Sequence, residues 1–237
     1  MHKLLLNNGR EERIVYAQII PYTAQPSNAD NINILSSYPW RHLLSPNRPY
    51  RKVQPCAGYA IDNGAWSSFK NKRPYDPQPF LDDVEKLGAD ADFIVIPDVV
   101  EDAAATFKLA ERWIPILESF RCLIVAQDGM VVDDFIDFVK HGIGVFIGGS
   151  TEYKLSNIKP IAALCERFGV LCHVGRVNSI KRMHICINFG AHSFDGSGMA
   201  RFKRTAREVT NALVNLEHQL FSRDFDVIKK RYIDHEC

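Results

Sequence analysis

The sequence has no cysteine pair at metal-ligand spacing. Its six cysteines, Cys56, Cys122, Cys165, Cys172, Cys186 and Cys237, stand apart, with no C-x-C or C-x-x-C among them. Several sit in apolar runs such as RCLIVA and VLCHVG. They read as buried, reduced thiols rather than a zinc site. No apolar run approaches the length of a membrane span. The opening MHKLLLNNGREE holds an apolar run too short for a secretion signal. A cytoplasmic protein with no membrane partner is the expectation. The net charge is only +1, so nucleic acid would have to be held by a local basic patch. No G-x-G-x-x-G follows the first clear strand, which counts against a Rossmann dinucleotide site.

What is present is an alternation. From about residue 57 onward, short apolar stretches trade places with amphipathic ones. AGYAI, ADFIVI, CLIVA, IGVFI, VLCHV and AHSF read as strands. PFLDDVEKLG, EDAAATFKLAERWIPILESF, VVDDFIDFVKHG, NIKPIAALCERFG, SIKRMHICINFG and RTAREVTNALVNLEHQLF read as helices. Gly88, Gly142, Gly169 and Gly190 stand where C-terminal caps belong. Such βα units build a parallel sheet. With INILSSY as a further strand, seven or eight strands suit a (β/α)8 TIM-like barrel, complete or lacking a strand. A doubly wound sheet is the alternative. One catalytic domain is expected over 1–237: an irregular segment at 1–56, regular units over 57–221, and a tail at 222–237. Its 237 residues suffice for a sizeable core.

The polar residues fall at the strand ends. Asp62 follows YAI, Asp98 follows FIVIP, and Gln127 and Asp128 follow LIVA. Gly148 and Gly149 follow VFI; Gly175, Arg176 and Asn178 follow CHV; Asp195 follows HSF. In a parallel barrel all of these lie on the C-terminal rim, where active sites sit. Each has a local alternative. Asp98 could equally cap the next helix, Asp62-Asn-Gly could be a turn, and Asp128 reads better as a turn or cap than as a catalyst. Gly148-Gly149 could be a tight turn and Arg176 a surface residue. Together, acids, an amide and exposed backbone N–H groups complement a guanine-like base. Carboxylates accept from its N1–H and N2–H, an amide or N–H donates to O6, and one acid remains for chemistry.

These segments, in this order, resemble the tRNA-guanine transglycosylase superfamily of queuine and archaeosine tRNA-ribosyltransferases. The similarity covers roughly residues 57–200. It is greater to the short phage and bacterial relatives, including DNA-acting guanine transglycosylases that install 7-deazaguanines. AIDNGAW resembles the D-S-G-G-F segment, which implies that Asp62 is the active-site acid. IPDVV implies that Asp98 recognises the base. VAQDG resembles the Q-G-G segment, with Gln127 reading the base, and FIGGS the turn whose backbone contacts O6. HVGRVNS resembles the V-G-x-P segment, and SFDGSG the F-D-C segment whose Asp, here Asp195, is the nucleophile. Asn63-Gly64-Ala65 departs from Ser-Gly-Gly, and Gly196 replaces a cysteine. The zinc-binding segment of the tRNA enzymes, with clustered cysteines and a later histidine, has no counterpart.

The resemblance therefore implies exchange of guanine in a polynucleotide, DNA rather than tRNA, for a 7-deazaguanine base. No cofactor and no metal are implied. The target would be single-stranded or have its base flipped out. Arg201, Lys203, Arg204 and Arg207, just after the nucleophile, could hold phosphates or simply be a solvated helix start. Tyr38, Trp40 and Trp66 could stack a base. Two rivals stand beside this reading: a barrel nucleosidase or N-glycosidase with water as acceptor, and a non-catalytic binder of nucleobases or modified nucleic acid. A homodimer or a partner protein is compatible with all three.

Overall fold

The computed structural model describes residues 19–46 and 57–233, with side chains described as far as 218. Eight short parallel strands close into a barrel in sequence order. They are β1 (Ile20–Thr23), β2 (Arg41–Leu44), β3 (Tyr59–Ile61), β4 (Ile94–Val95), β5 (Cys122–Ala126), β6 (Gly144–Ile147), β7 (Cys172–Val174) and β8 (Ser193–Asp195). The ring shuts where β1 pairs with β8, with Ile20 beside Ser193 and Tyr22 beside Asp195. The chain is a single (β/α)8 TIM barrel.

The helices are α1 (Ala29–Leu35), α2 (Ala65–Lys70), α3 (Gln78–Leu87), α4 (Ala103–Trp113), α5 (Ile136–Lys140), α6 (Thr151–Phe168), α7 (Ile180–Asn188), α8 (Gly198–Arg201) and α9 (Lys203–Ile233). Local chemistry sets their starts. Asp102 caps α4 by accepting from Ala105 N–H at 2.9 Å, and Ser150 caps α6 by accepting from Tyr153 N–H at 3.1 Å. Ser150 therefore starts α6 well before Asn157, where the NIKP segment places it. Gly169 ends α6 in the left-handed conformation, φ +68, as a glycine cap should. Gly88 differs: its φ is −60, and a Cβ there would press into the Phe120 ring at 2.8 Å. Close packing is what requires glycine at that position.

Four expectations need correction. The segment before residue 57 is not uniformly irregular, since it supplies β1, α1 and β2. INILSSY is no strand: Asn28 Oδ1 accepts from Asn31 N–H at 2.8 Å and starts a helix there, which buries Asn31 and Leu35 on one face. The long helix read over 101–120 stops at Trp113, because Pro115 cannot continue it. At the other end α9 runs through the expected tail to Ile233.

Two apolar layers hold the barrel. Inside it, Tyr22, Ala60, Phe93, Val95, Leu123 and Val125 interlock. Outside it, Ile61, Ile94, Ile124, Val145, Val174 and Phe194 meet the helices. This in-and-out alternation is the strand period at work. Each large buried side chain contributes on the order of 2 kcal/mol. Tyr38 and Trp40, considered above as base-stacking residues, are 5% and 0% exposed. Trp40 packs edge-on to Phe194 at 6.1 Å and donates from Nε1 to Thr210 Oγ1 at 3.1 Å. They belong to the core, because an aromatic among loop residues still buries when the loop folds over a helix layer. Cys122, Cys165, Cys172 and Cys186 are buried and unbridged; Cys56 and Cys237 lie outside the described residues. Among the described residues no helix is long and apolar enough to cross a membrane.

Candidate active site

Asp62, Asp98 and Asp195 stand at the C-terminal ends of β3, β4 and β8, on one rim. Asp62 is half-buried. It accepts from Ser45 Oγ at 3.3 Å, a residue that follows β2. Burial pushes its carboxyl up to about 7, and the negative charges of Asp195 and Asp98 add to the rise; hydrogen bonds from Ser45 and the Gly64 backbone oppose it. Asp98 is pushed up to about 6 by burial, against a hydrogen bond from Asn63. Asn63 Nδ2 donates to Asp98 Oδ1 at 2.9 Å and to Ile96 O at 2.8 Å. Its Oδ1 accepts from Ala65 N–H at 2.8 Å. One amide thus aims Asp98 and anchors the start of α2. A Ser in its place, as in the D-S-G-G-F segment, is too short to make the same set of bonds.

Asp195 has a different environment. His173, fully buried inside the barrel, places Nε2 3.2 Å from Asp195 Oδ1 and Nδ1 2.8 Å from Ser193 Oγ. The imidazole stacks on Phe146 with centroids 4.8 Å apart and lies edge-on to Tyr22 at 5.5 Å. Asp195 Oδ1 also accepts from Arg176 N–H at 3.3 Å. Gly175 keeps room beside it: a Cβ there would come 2.8 Å from the Phe146 ring and 3.4 Å from Asp195 Oδ1.

Arg176 adopts φ +59, unusual for a residue with a side chain. Its guanidinium lies over the Trp66 ring, 4.3 Å from the centroid, and donates to Gly149 O. β3 and β7 stand opposite each other in the barrel, so this pair reaches across the mouth. Trp66 also stacks on Phe69 at 5.9 Å and is 43% exposed. Gly149 has φ +69, and its N–H has no hydrogen-bond partner among the described residues. Tyr75 donates to Asn63 O at 3.1 Å. Burial raises the pKa of its phenol, and the charges of Asp62, Asp98 and Asp76 add to the rise.

Other rim residues serve the loops instead. Gln127 is 3% exposed. Its Oε1 accepts from Glu101 N–H at 2.8 Å, and its Nε2 donates to Val99 O at 2.9 Å and Thr106 Oγ1 at 2.7 Å. It fixes the β4–α4 loop, whose Glu101 has φ +65, and has no amide free to read a base. Gly148 N–H is taken by Ala126 O at 2.8 Å, so of the two glycines only Gly149 offers a donor. Gly175 N–H goes to Ile147 O at 3.0 Å. Asn178 Oδ1 accepts from Gly198 N–H at 2.7 Å. A Cβ on Gly196 or Gly198 would run into that same Asn178 oxygen. The glycines of FDGSG therefore admit a neighbouring loop. Asp128 sits in a turn and accepts from Ser150 N–H and Oγ at 2.6 Å each, which ties its loop to the one before α6.

The basic run after β8 is largely paired. Lys203 Nζ lies 2.8 Å from Asp30, and Arg204 Nε 2.7 Å from Glu208. Arg207 acts on Asp30 at longer range, and the Arg201 guanidinium rests 5.4 Å from the Phe202 centroid. Among the described residues no group of three or more His, Cys, Asp and Glu side chains could hold a metal ion. Asn63, Tyr75 and His173 were not singled out from the sequence. His173 left one trace there: it is the polar member of the buried strand VLCHV.

No family model matches the chain, and no curated protein matches it. Among solved structures, a chain of the tryptophan synthase complex from Pyrococcus furiosus is 13% identical, with a TM-score of 0.43 over 83% of this chain and 94% of that one. The aldolase QR15 is 15% identical, with a TM-score of 0.44 over 81% of this chain and 95% of its own.

Proposed function

We propose that this protein is a guanine transglycosylase, exchanging guanine in a polynucleotide, DNA rather than tRNA, for a 7-deazaguanine. The observation that carries the reading is the unequal setting of Asp62 and Asp195 on one rim. Asp62 is pushed up to about 7, where a carboxyl can give and take a proton at neutral pH. Asp195 is held in one orientation by His173 Nε2 at 3.2 Å and the Arg176 N–H at 3.3 Å, both on Oδ1, which leaves its other oxygen to attack. Two acids in environments that separate their roles are the mark of an acid and a nucleophile.

In the first half-reaction an Asp195 oxygen attacks C1′ of the target guanosine. The C1′–N9 bond breaks, its electron pair passes to guanine, and Asp62 delivers a proton to the departing base. In the second half, Asp62 takes a proton from the incoming 7-deazaguanine, whose N9 attacks C1′ and releases the Asp195 ester. Two inversions give net retention. Asp98 would accept from the base N1–H and N2–H, and Gly149 N–H would donate to O6. Trp66 offers a ring face for stacking once Arg176 moves aside. The target base must leave its stack to reach the rim.

The direct test is mass analysis of nucleosides from the DNA of cells with and without this protein. A 7-deazaguanosine present only with the protein supports the proposal. Free guanine release with no new nucleoside would assign the site to a nucleosidase instead.

A further inference from the structure

Lys154 projects from α6 and is 5% exposed. Its Nζ donates to Gly175 O at 2.9 Å. The crevice around it, between α6 and α7, is walled mainly by apolar side chains, Leu155, Ile158, Val177 and Ile185 among them, and leaves space for about one water. An amine buried this way is unfavourable unless a partner holds it. Burial pushes the amine down to about 8, the charge of Arg176 adds to the fall, Asp195 opposes it, and Arg182 and Cys186 act more weakly. The amine is still largely a cation at neutral pH.

Gly175 O and the Arg176 N–H belong to one planar peptide unit. Lys154 holds that unit by its oxygen. Asp195 Oδ1 accepts from the same unit's N–H at 3.3 Å. Next to it, Gly175 N–H donates to Ile147 O at 3.0 Å and Val177 N–H to Asp195 O at 2.6 Å, both backbone bonds. The unit between them is the one tied at each end by a side chain. It also carries strain. Arg176 has φ +59, a region unfavourable for a residue with a Cβ. Turning this peptide over would return that φ to the negative side and swing the N–H away from Asp195. The same turn would pull Gly175 O off a cation in a crevice too dry to replace the bond. We infer that Lys154 is a positioning residue: through the Gly175–Arg176 peptide it keeps the N–H on Asp195 Oδ1 and so fixes the orientation in which the carboxylate attacks. The inference rests on the proposed function for Asp195 being the nucleophile; the hold on the peptide does not.

Two readouts on the full chain test it. The first is amide hydrogen exchange by NMR, without DNA. In Lys154→Met, which keeps the length and removes the donor, the Arg176 amide should exchange at least about tenfold faster, while the Gly175 amide on Ile147 O keeps its rate. The second is single-turnover adduct formation at saturating single-stranded DNA containing guanine. Its rate should fall at least about tenfold in Lys154→Met, with guanine affinity within about twofold of wild type. Lys154→Gln retains a donor one bond shorter. It should fall between Lys154→Met and wild type in both readouts, although Met fits the apolar walls better, and it carries the test if Lys154→Met fails to fold. Arg182→Gln removes a neighbouring cation that is bonded to Thr151 Oγ1 rather than to this peptide, so it should leave both readouts within about twofold. Unchanged exchange at Arg176 in the folded Lys154 variants would overturn the inference. So would faster exchange with an unchanged adduct rate, or an equal loss in Arg182→Gln. If wild type forms no adduct, the proposed function fails, and the exchange rates alone decide whether Lys154 holds the peptide on Asp195.

Discussion

His173 Nε2 lies 3.2 Å from Asp195 Oδ1, and the imidazole is caged by Phe146, Tyr22 and Phe93 beneath the barrel mouth. With Asp195 ionised, Nε2 must be the donor, and Ser193 on Nδ1 fixes the ring in that orientation. His173 is therefore a positioning residue. His173→Phe keeps the aromatic packing and removes the donor. Single-turnover adduct formation should fall on the order of 100-fold, with guanine affinity unchanged. Equal losses in rate and guanine affinity would mean that the barrel interior, rather than Asp195, had been disturbed.

The raised carboxyl of Asp62 sets a sign for stability against pH. Unfolded, it titrates at its ordinary 3.8; folded, at about 7. Between those values the folded chain holds a proton that the unfolded chain releases, so stability falls as pH rises from about 4 through about 7, then levels off. Asp98, at about 6, adds to the lower part of that slope. Asp62→Asn should flatten the fall and raise stability at pH 8 by on the order of 2 kcal/mol, a value discounted for the side chain's partial exposure. Urea melts at several pH values check this. Adduct formation in wild type should decline above about pH 7, as Asp62 loses the proton the leaving base needs, and that inflection should vanish in Asp62→Asn.

Asp98 is aimed by Asn63, so its loss should act on the base. Asp98→Ala should weaken guanine binding about 100-fold, because the base donors are left unpaired in a buried site. The melting temperature should stay the same or rise, since a desolvated carboxyl is removed. Calorimetric titration with guanine measures the first and a thermal melt the second. Unchanged affinity would leave Asp98 as a partner of Asn63 alone.

The sequence locates Asp62, Asp98 and Asp195 because parallel βα alternation puts every strand end on one rim. It does not say which way a side chain turns there. Gln127 and Asn178 occupy rim positions and face neighbouring loops, a choice made by contacts with Val99, Glu101 and Gly198 far along the chain. His173 was hidden for the opposite reason: its inward direction depends on the strand phase that also points Leu171 inward. β1 and β2 carry too little pattern to stand out from loop: each is four residues long, β1 contains Pro21, and Pro46 follows β2 closely. Lys154 looks like an ordinary helix-surface lysine until α6 and α7 close around it.

The account turns on Asp195 forming a bond to the sugar. Purified protein incubated with guanine-containing single-stranded DNA, then run on a denaturing gel, should give a protein–DNA adduct that a labelled 7-deazaguanine converts to labelled DNA. Asp195→Asn should give neither adduct nor label, because a neutral amide cannot form the glycosyl ester, while its thermal melt and guanine affinity match wild type. Exchange by Asp195→Asn at a rate comparable to wild type would contradict the account.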